Sequence, residues 1–219
     1  MGTIYKNSGL RMALQSAIAA AKTITAVTND ATGTFTSTAH GFVNGEIVLL
    51  ELLGMTEVNN RLFEVMGVTA NTFALESVDG VTAINTTSYG VFSSGTAKKI
   101  TLGTSITGVS GFSPSGGDIK FLDTTTVHDT EDKQITAGST ALSYNLTFQW
   151  DPADAAQAAM LDTSRLGASK AFRILWPNNT YAMFYGTVGY NGAPGGDNQG
   201  ITTTNAAVAL SGTATYGKN

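Results

Sequence analysis

The stretch Ser143-Tyr144-Asn145-Leu146-Thr147-Phe148-Gln149-Trp150-Asp151-Pro152 decides how the rest of the chain is read. Tyr144, Leu146, Phe148 and Trp150 alternate with Asn145, Thr147 and Gln149, which places all the large apolar groups on one face of a strand. Asp151 then supplies an N-cap oxygen, Pro152 suits a first helical turn where no N–H is needed, and Asp154 complements the helix dipole. The small residues Ala153, Ala155, Ala156, Ala158 and Ala159, with Met160 and Leu161, predict a helix that packs closely on a sheet and ends near Gly167. Residues 172–176 predict a second strand, Pro177-Asn178-Asn179 a hairpin turn, and residues 181–188 a third strand. The alternation of Val208, Leu210, Ala214 and Tyr216 predicts a last strand over residues 206–216.

Working outward, residues 123–138 form the most polar stretch, and a surface loop is expected there, long enough that loop-length priors favour either disorder or a binding role. Residues 24–96 show short apolar runs punctuated by Gly33, Gly41, Gly45, Gly54, Asn71, Asp79 and Gly80, the texture of a compact module of short strands. Strands are predicted over 45–51, 61–68 and 72–75. Residues 98–117, with Ile100, Leu102, Ile106 and Val109 as their apolar content, are expected to return as strands to the main domain. Leu10, Met12, Leu14, Ser16 and Ile18 alternate as a strand would, although Ala19, Ala20 and Ala21 favour helix, and strand is the reading adopted. The expected organisation is mainly β: an N-terminal segment 1–23, an inserted small β module 24–97, and a main domain 98–219 with one flanking helix.

Composition agrees with strands and turns: Thr is the commonest residue, 25 of the 219 residues are Gly, and only 13% carry charge. A net charge of −4 provides no basic footprint for reading nucleic-acid grooves. The chain has no cysteine, which excludes disulfides, thiolate metal sites and Cys nucleophiles. The first 22 residues lack the apolar core and cleavage pattern of a signal peptide, and no run approaches a membrane span, so a soluble protein is expected.

No catalytic, cofactor or metal site can be assembled from the pattern. His40 lies in Ser37-Thr38-Ala39-His40-Gly41, where it reads as a turn-stabilising imidazole. His128 precedes Asp129, Glu131 and Asp132, but the spacing fits neither an EF-hand loop nor a zinc pattern. Asp151 and Asp154 read as helix caps rather than a glycosidase pair. Gly116-Gly117 and Gly195-Gly196 lack the setting of a phosphate loop and read as turns. Aromatic residues among them Tyr144, Phe148, Trp150, Phe172, Trp176, Tyr181, Phe184 and Tyr185 fit a core or subunit interface better than a sugar platform. A carbohydrate-binding or adhesin-like module is the alternative to a structural subunit.

The order of these elements carries a resemblance. Residues 143–152, the Ala-rich helix, Ala171-Phe172-Arg173-Ile174-Leu175-Trp176-Pro177-Asn178 and Phe184-Tyr185-Gly186 together resemble the tail-tube proteins of lambda-like siphophages, over about residues 100–216. Ile4-Tyr5-Lys6-Asn7-Ser8-Gly9 and Phe121-Leu122-Asp123-Thr124-Thr125-Thr126-Val127-His128 look like one branch of that family. Thr36-Ser37-Thr38-Ala39-His40-Gly41, Gly54-Met55-Thr56-Glu57 and Ala70-Asn71-Thr72-Phe73-Ala74-Leu75 resemble the small β module named after the first catalytic-cysteine half-domain of ubiquitin-activating enzyme. The resemblance implies a non-enzymatic virion protein: a β-sandwich or barrel with one flanking helix, assembled as stacked hexameric rings around a channel for phage DNA. It further implies a long loop that reaches the adjacent ring, here Asp123, Thr124, Thr125, Thr126, Val127, His128, Asp129, Thr130, Glu131, Asp132, Lys133 and Gln134. Implied partners are further copies of itself, the tape-measure protein and DNA in the lumen, without sequence-specific binding, and the tail tip and terminator proteins. No membrane partner and no cofactor is implied. Synthesis in the host cytoplasm and an exterior position for the inserted module complete the expectation.

Overall fold

The computed structural model describes residues 7–218, so Ile4, Tyr5 and Lys6 of the N-terminal resemblance lie outside the described residues. The chain opens with β1 (Arg11–Leu14), β2 (Ala17–Ile18), β3 (Lys22–Ile24), β4 (Ala26–Val27) and β5 (Thr34–Thr36). β6 (Ile47–Leu53), a 3-10 turn (Thr56–Val58), β7 (Arg61–Met66) and β8 (Thr72–Leu75) follow. β9 (Ser94–Thr101), β10 (Thr104–Ile106) and β11 (Val109–Ser115) lead to β12 (Ile119–Asp123) and β13 (Gln134–Ser139). β14 (Ser143–Gln149), α1 (Ala155–Arg165), β15 (Ser169–Leu175), β16 (Thr180–Tyr190), β17 (Thr203–Leu210) and β18 (Thr215–Lys218) complete it. The protein is mainly β with one helix, as the sequence implied.

The first large sheet is antiparallel, in the order β10-β1-β15-β16-β17-β14-β11, with β18 added beside β16. β10 and β11 stand at opposite ends of that order, yet only Thr107 and Gly108 separate them, with Gly108 at φ 65°. One continuous segment therefore serves both edges and folds the sheet over into a sandwich. The apolar faces meet inside: Tyr144 on β14 stacks on Phe184 of β16 with centroids 4.5 Å apart, and Leu14, Leu146, Phe148, Phe172, Ile174 and Val208 fill the space around them. Each such side chain withdrawn from water contributes on the order of 1.5–3 kcal/mol. The helix lays Ala156 and Met160, both fully buried, against this core.

The helix begins three residues later than the sequence suggested. Asp154, not Asp151, is the N-cap, and its Oδ1 accepts from the N–H groups of Ala156 and Gln157 at 2.9 Å each. Asp151 instead accepts from Ala153 N–H at 2.9 Å, holding a turn that contains Pro152 ahead of the helix. Gly167, at φ 61°, closes the helix as expected: its N–H donates to Ser164 O and that of Ala168 to Thr163 O, the paired bonds of a Schellman end. Trp150 leaves the strand face it was expected to share; it lies beyond the end of β14, exposed, with its indole N–H on Gly192 O at 3.1 Å. The predicted last strand is two strands, β17 and β18, because the chain turns at Ser211-Gly212 and crosses from β17 back to the far half of β16.

The segment 10–18 is strand, but it breaks at Gln15-Ser16 and enters two sheets. The break is held by Gln15, whose buried Oε1 accepts from Ala171 N–H at 3.0 Å while its own N–H donates to Ala171 O. Beyond it β2 pairs with β9, just as β1 pairs with β10, so two adjacent antiparallel strands run as a ribbon from the sandwich into a second sheet. That sheet has the order β2-β9-β6-β7-β8-β5-β4, with β3 beside β9. Thus β9, at 94–101, belongs to the second sheet and the return to the sandwich begins at β10.

β6 reads Ile-Val-Leu-Leu-Glu-Leu-Leu because it is covered on both faces. Val48, Leu50 and Leu52 join Phe35, Phe63 and Phe73 in one core, whereas Ile47 and Leu49, with Leu62 and Ile100, pack on Ala171, Tyr181 and Met183 of the sandwich. His40 does stabilise a turn: its Nδ1 accepts from Phe42 N–H at 2.9 Å, which leaves the ring proton on Nε2, facing Thr72 O at 3.3 Å. Ala39 and Gly41 on either side take positive φ, 49° and 71°, which this clamp holds in place.

Candidate assembly surface

The β11–β14 pair does not stop at the rim of the sandwich. At Gly116 and Gly117, φ 80° and 82°, it kinks and continues outward as the hairpin β12–β13, which forms a two-stranded sheet of its own. Both glycines are required to be glycine by their backbone, and a Cβ on Gly116 would also run into the carbonyl of Ala141. The expected loop at 123–138 is therefore, in its last part, strand: Leu122 pairs with Ile135 and Asp123 with Gln134. A polar sequence with few apolar residues still makes a hairpin because its turn is tied by its own side chains.

Every residue of β12 and β13 is exposed, on both faces of the hairpin. Ile119, Phe121, Leu122 and Ile135 stand in solvent there, and Phe121 is 62% exposed. An isolated two-stranded hairpin with open edges is marginal in water, so a second surface is expected to complete it.

The twelve residues named from sequence all fall on the end of this hairpin. Asp123 closes β12 and accepts from Thr125 N–H at 2.8 Å; the hydrogen bonds of Thr125 hold its carboxyl below the ordinary range. Thr124 N–H donates to Lys133 O at 2.9 Å, and Thr126 donates through both N–H and hydroxyl to Asp129 Oδ2 at 2.9 Å. Asp129 also pairs with the Lys133 ammonium, and that bond, with those from Thr126, keeps the carboxyl below its usual range. Val127, at the tip, is 96% exposed, and His128, Thr130, Glu131, Asp132 and Gln134 are exposed around it. Among the described residues no three His, Asp or Glu converge as a metal site would require.

Residues that the sequence reading passed over hold the surrounding frame. Gln157, buried on α1, donates from Nε2 to Gln149 O at 2.8 Å, and its Oε1 receives Asp151 N–H and the Tyr190 hydroxyl, each at 3.2 Å. Arg61 fastens the second sheet to the sandwich near the base of the hairpin: Nη1 donates to Glu57 O at 2.7 Å, Nη2 to Ala214 O at 3.4 Å, and the guanidinium lies 4.9 Å from the Phe63 ring centre. Where β7 faces the sandwich, burial raises the Glu64 carboxyl above its ordinary range, opposed by Arg173. Burial, then the facing Glu64 and Glu76, push the Tyr181 hydroxyl upward. Its ring crosses Gly217, where any Cβ would collide with it. The contacts of Arg61 with Ala214, Glu64 with Arg173, Tyr181 with Gly217 and Gln157 with Tyr190 join residues far apart in sequence, which is why they were not legible locally. Most aromatics weighed as a sugar platform are buried: Tyr144, Phe148, Phe172 and Phe184 in the sandwich core, and Tyr181 in the seam between the sandwich and the second sheet.

A β-sandwich from which a self-tied hairpin carries exposed apolar side chains offers a surface on which further chains can pack. The family described as phage tail tube protein, TTP, matches residues 53–218, and the chain belongs to it. No curated protein is significantly similar to the chain. Family membership makes the protein a component of a phage tail that assembles into a tube with other tail components. Among the described residues no helix is long and apolar enough to cross a membrane.

Proposed function

We propose that the protein is the major tail-tube subunit of a lambda-like siphophage, made in the host cytoplasm and assembled as stacked hexameric rings around the path of the DNA. The observation that carries this reading is the β12–β13 hairpin, fully exposed, with Phe121, Leu122 and Ile135 in solvent. Residues 123–134 at its end reach the adjacent ring, and burial of those side chains there drives stacking. The open edge of β11 supports lateral closure of the ring, since no strand among the described residues pairs its outer side. Tape-measure protein and DNA occupy the lumen without sequence-specific binding, and tail-tip and terminator proteins close the ends. The module at 24–97, of the type named after the ubiquitin-activating half-domain, decorates the exterior.

Deleting residues 124–136 and joining the ends by a short turn tests the hairpin. The expected outcome is a folded chain by circular dichroism that no longer polymerises. Normal tubes by negative-stain microscopy would sink the assignment.

A further inference from the structure

The end of the sandwich farthest from the hairpin carries an exposed tryptophan. β14 runs from Ser143, where the hairpin leaves the sandwich, to Gln149, and Trp150 follows at once. β11 and β17 run beside β14 in register. The root of the hairpin and Trp150 therefore stand at opposite ends of one strip of strands, roughly 23 Å apart at about 3.3 Å per residue.

Trp150 is held in place at that far end. Its backbone N–H donates to Thr202 O at 3.0 Å and its indole N–H to Gly192 O at 3.1 Å, so the segment 191–202 between β16 and β17 grips it from both of its ends. That segment is itself tied. Gly195 and Thr203 exchange two backbone bonds of 2.8 Å, Ala193 N–H donates to Asn191 Oδ1 at 2.9 Å, and the Thr204 hydroxyl donates to Ala193 O at 3.0 Å. With its one donor used, the Trp150 side chain is still 38% exposed, and Ile201, which adjoins Thr202, is 67% exposed. A tryptophan already fixed has little rotamer freedom left to lose on contact, and tryptophan is foremost among the residues that anchor interfaces. The charge around it is acidic: Asp151 and Asp197 are exposed, and residues 149–158 and 190–205 contain no Lys or Arg.

The hairpin is the complement of this end. Leu122 and Ile135 oppose one another directly across β12 and β13, which puts both exposed side chains on one face. Lys120, two residues back along β12, is exposed and joins no ion pair among the described residues. The tip carries Glu131 and Asp132, which share the sign of Asp151 and Asp197, so complementarity belongs to the strands of the hairpin and not to its tip. Two unlike surfaces at opposite ends of one chain pair head to tail, and such pairing continues along an axis instead of closing as a dimer.

We infer that Trp150 and Ile201 form the seat for the Leu122–Ile135 face of a second copy's hairpin, with Lys120 of that copy set against Asp151 and Asp197. The inference rests on the reading of the chain as a tube subunit, and it names the surface that the hairpin meets.

The native chain has no cysteine, so introduced thiols report this contact alone. Full-length chains carrying Leu122→Cys, Ile201→Cys or both are assembled into tubes, oxidised and run on a non-reducing gel. The two sites lie at opposite ends of one chain, too far apart for a disulfide within it. The expected result is a ladder of linked chains from the double variant and no dimer from either single variant. Tubes of the double variant that give no ladder overturn the assignment by placing the hairpin elsewhere. Dimers from a single variant overturn it by showing like surfaces packed together. Ile135→Cys takes the place of Leu122→Cys if the latter does not assemble.

Trp150→Ala should raise the protein concentration needed for tubes at least about tenfold, the scale of one interface hot spot, whereas Trp150→Phe, which keeps an aromatic ring, should stay closer to wild type. Circular dichroism of the unassembled chains checks that both fold, and unchanged assembly of Trp150→Ala overturns the role of Trp150. If Trp150→Ala does not fold, the crosslink decides. Failure of the wild-type chain to form any tube overturns the tube reading and this assignment with it, whereas tubes without the ladder overturn this assignment alone.

Discussion

Glu64 shows how one side chain reports the packing of two sheets. It faces the sandwich from β7, and burial raises its carboxyl above the ordinary value of 4.5 even though Arg173 acts in the opposite direction. A carboxyl whose folded value is raised binds its proton more readily in the folded chain than in the unfolded one. Its contribution to stability is therefore complete below the unfolded value and is lost as pH rises through the folded one. Glu64→Gln, which carries no charge, escapes that loss and also relieves Glu76, whose carboxyl is raised by burial and then by the Glu64 charge. The variant should melt higher than wild type at neutral pH, with the difference shrinking towards about pH 4, near the unfolded value of a glutamate. Asp79, Asp123 and Asp129, whose carboxyls are lowered, have the opposite slope but cancel in the comparison. Thermal unfolding of both proteins across this range checks it, and a lower melting temperature for the variant at neutral pH would mean that the Arg173 contact outweighs burial.

At the scale of elements, the helix start separates two aspartates that the sequence made equivalent. Asp154→Ala removes the acceptor for two helical N–H groups and should cost on the order of 1 kcal/mol, within the usual range of about 0.5–2 for a lost N-cap. Asp151→Ala removes only one bond to a turn outside the helix and should cost less, which chemical denaturation of the pair resolves. The error in register arose because Asp151-Pro152 and Asp154 both satisfy the local rules of a helix N-terminus, and only the turn ahead of the helix decides between them. Alternation and turn chemistry did specify β8 to the residue and the hairpin turn between β15 and β16, where Asn179 takes φ 65°. They missed β13, because Gln134-Ile135-Thr136 carries one apolar residue and its partner strand lies beyond a polar turn. They also could not divide residues 206–216, since β17 and β18 each alternate in phase with their own partners. The end of the hairpin was legible as a place, but its geometry depends on Thr126, Asp129 and Lys133 meeting across the turn.

At the scale of the whole molecule, the second sheet is tied to the sandwich more closely than an appended decoration would be. The ribbon of β1–β10 and β2–β9 passes between them, Arg61 bonds across the seam, and Ile47, Leu49, Leu62 and Ile100 cover Ala171, Tyr181 and Met183. Removing residues 24–96 leaves the last residues of β9 without β6 and turns that apolar patch into solvent. A side chain such as Met183 loses about 1.5–3 kcal/mol when it is uncovered, against a total stability of roughly 5–15 kcal/mol for a domain. The bare excision should therefore aggregate or melt well below wild type. The same excision with Tyr181→Thr and Met183→Thr, which keep strand propensity while making the uncovered face polar, should fold and still form tubes if the module decorates the exterior. Circular dichroism and negative-stain microscopy of the two excised chains distinguish the cases. A resurfaced chain that folds yet forms no tube would make the module part of the wall and not an ornament upon it.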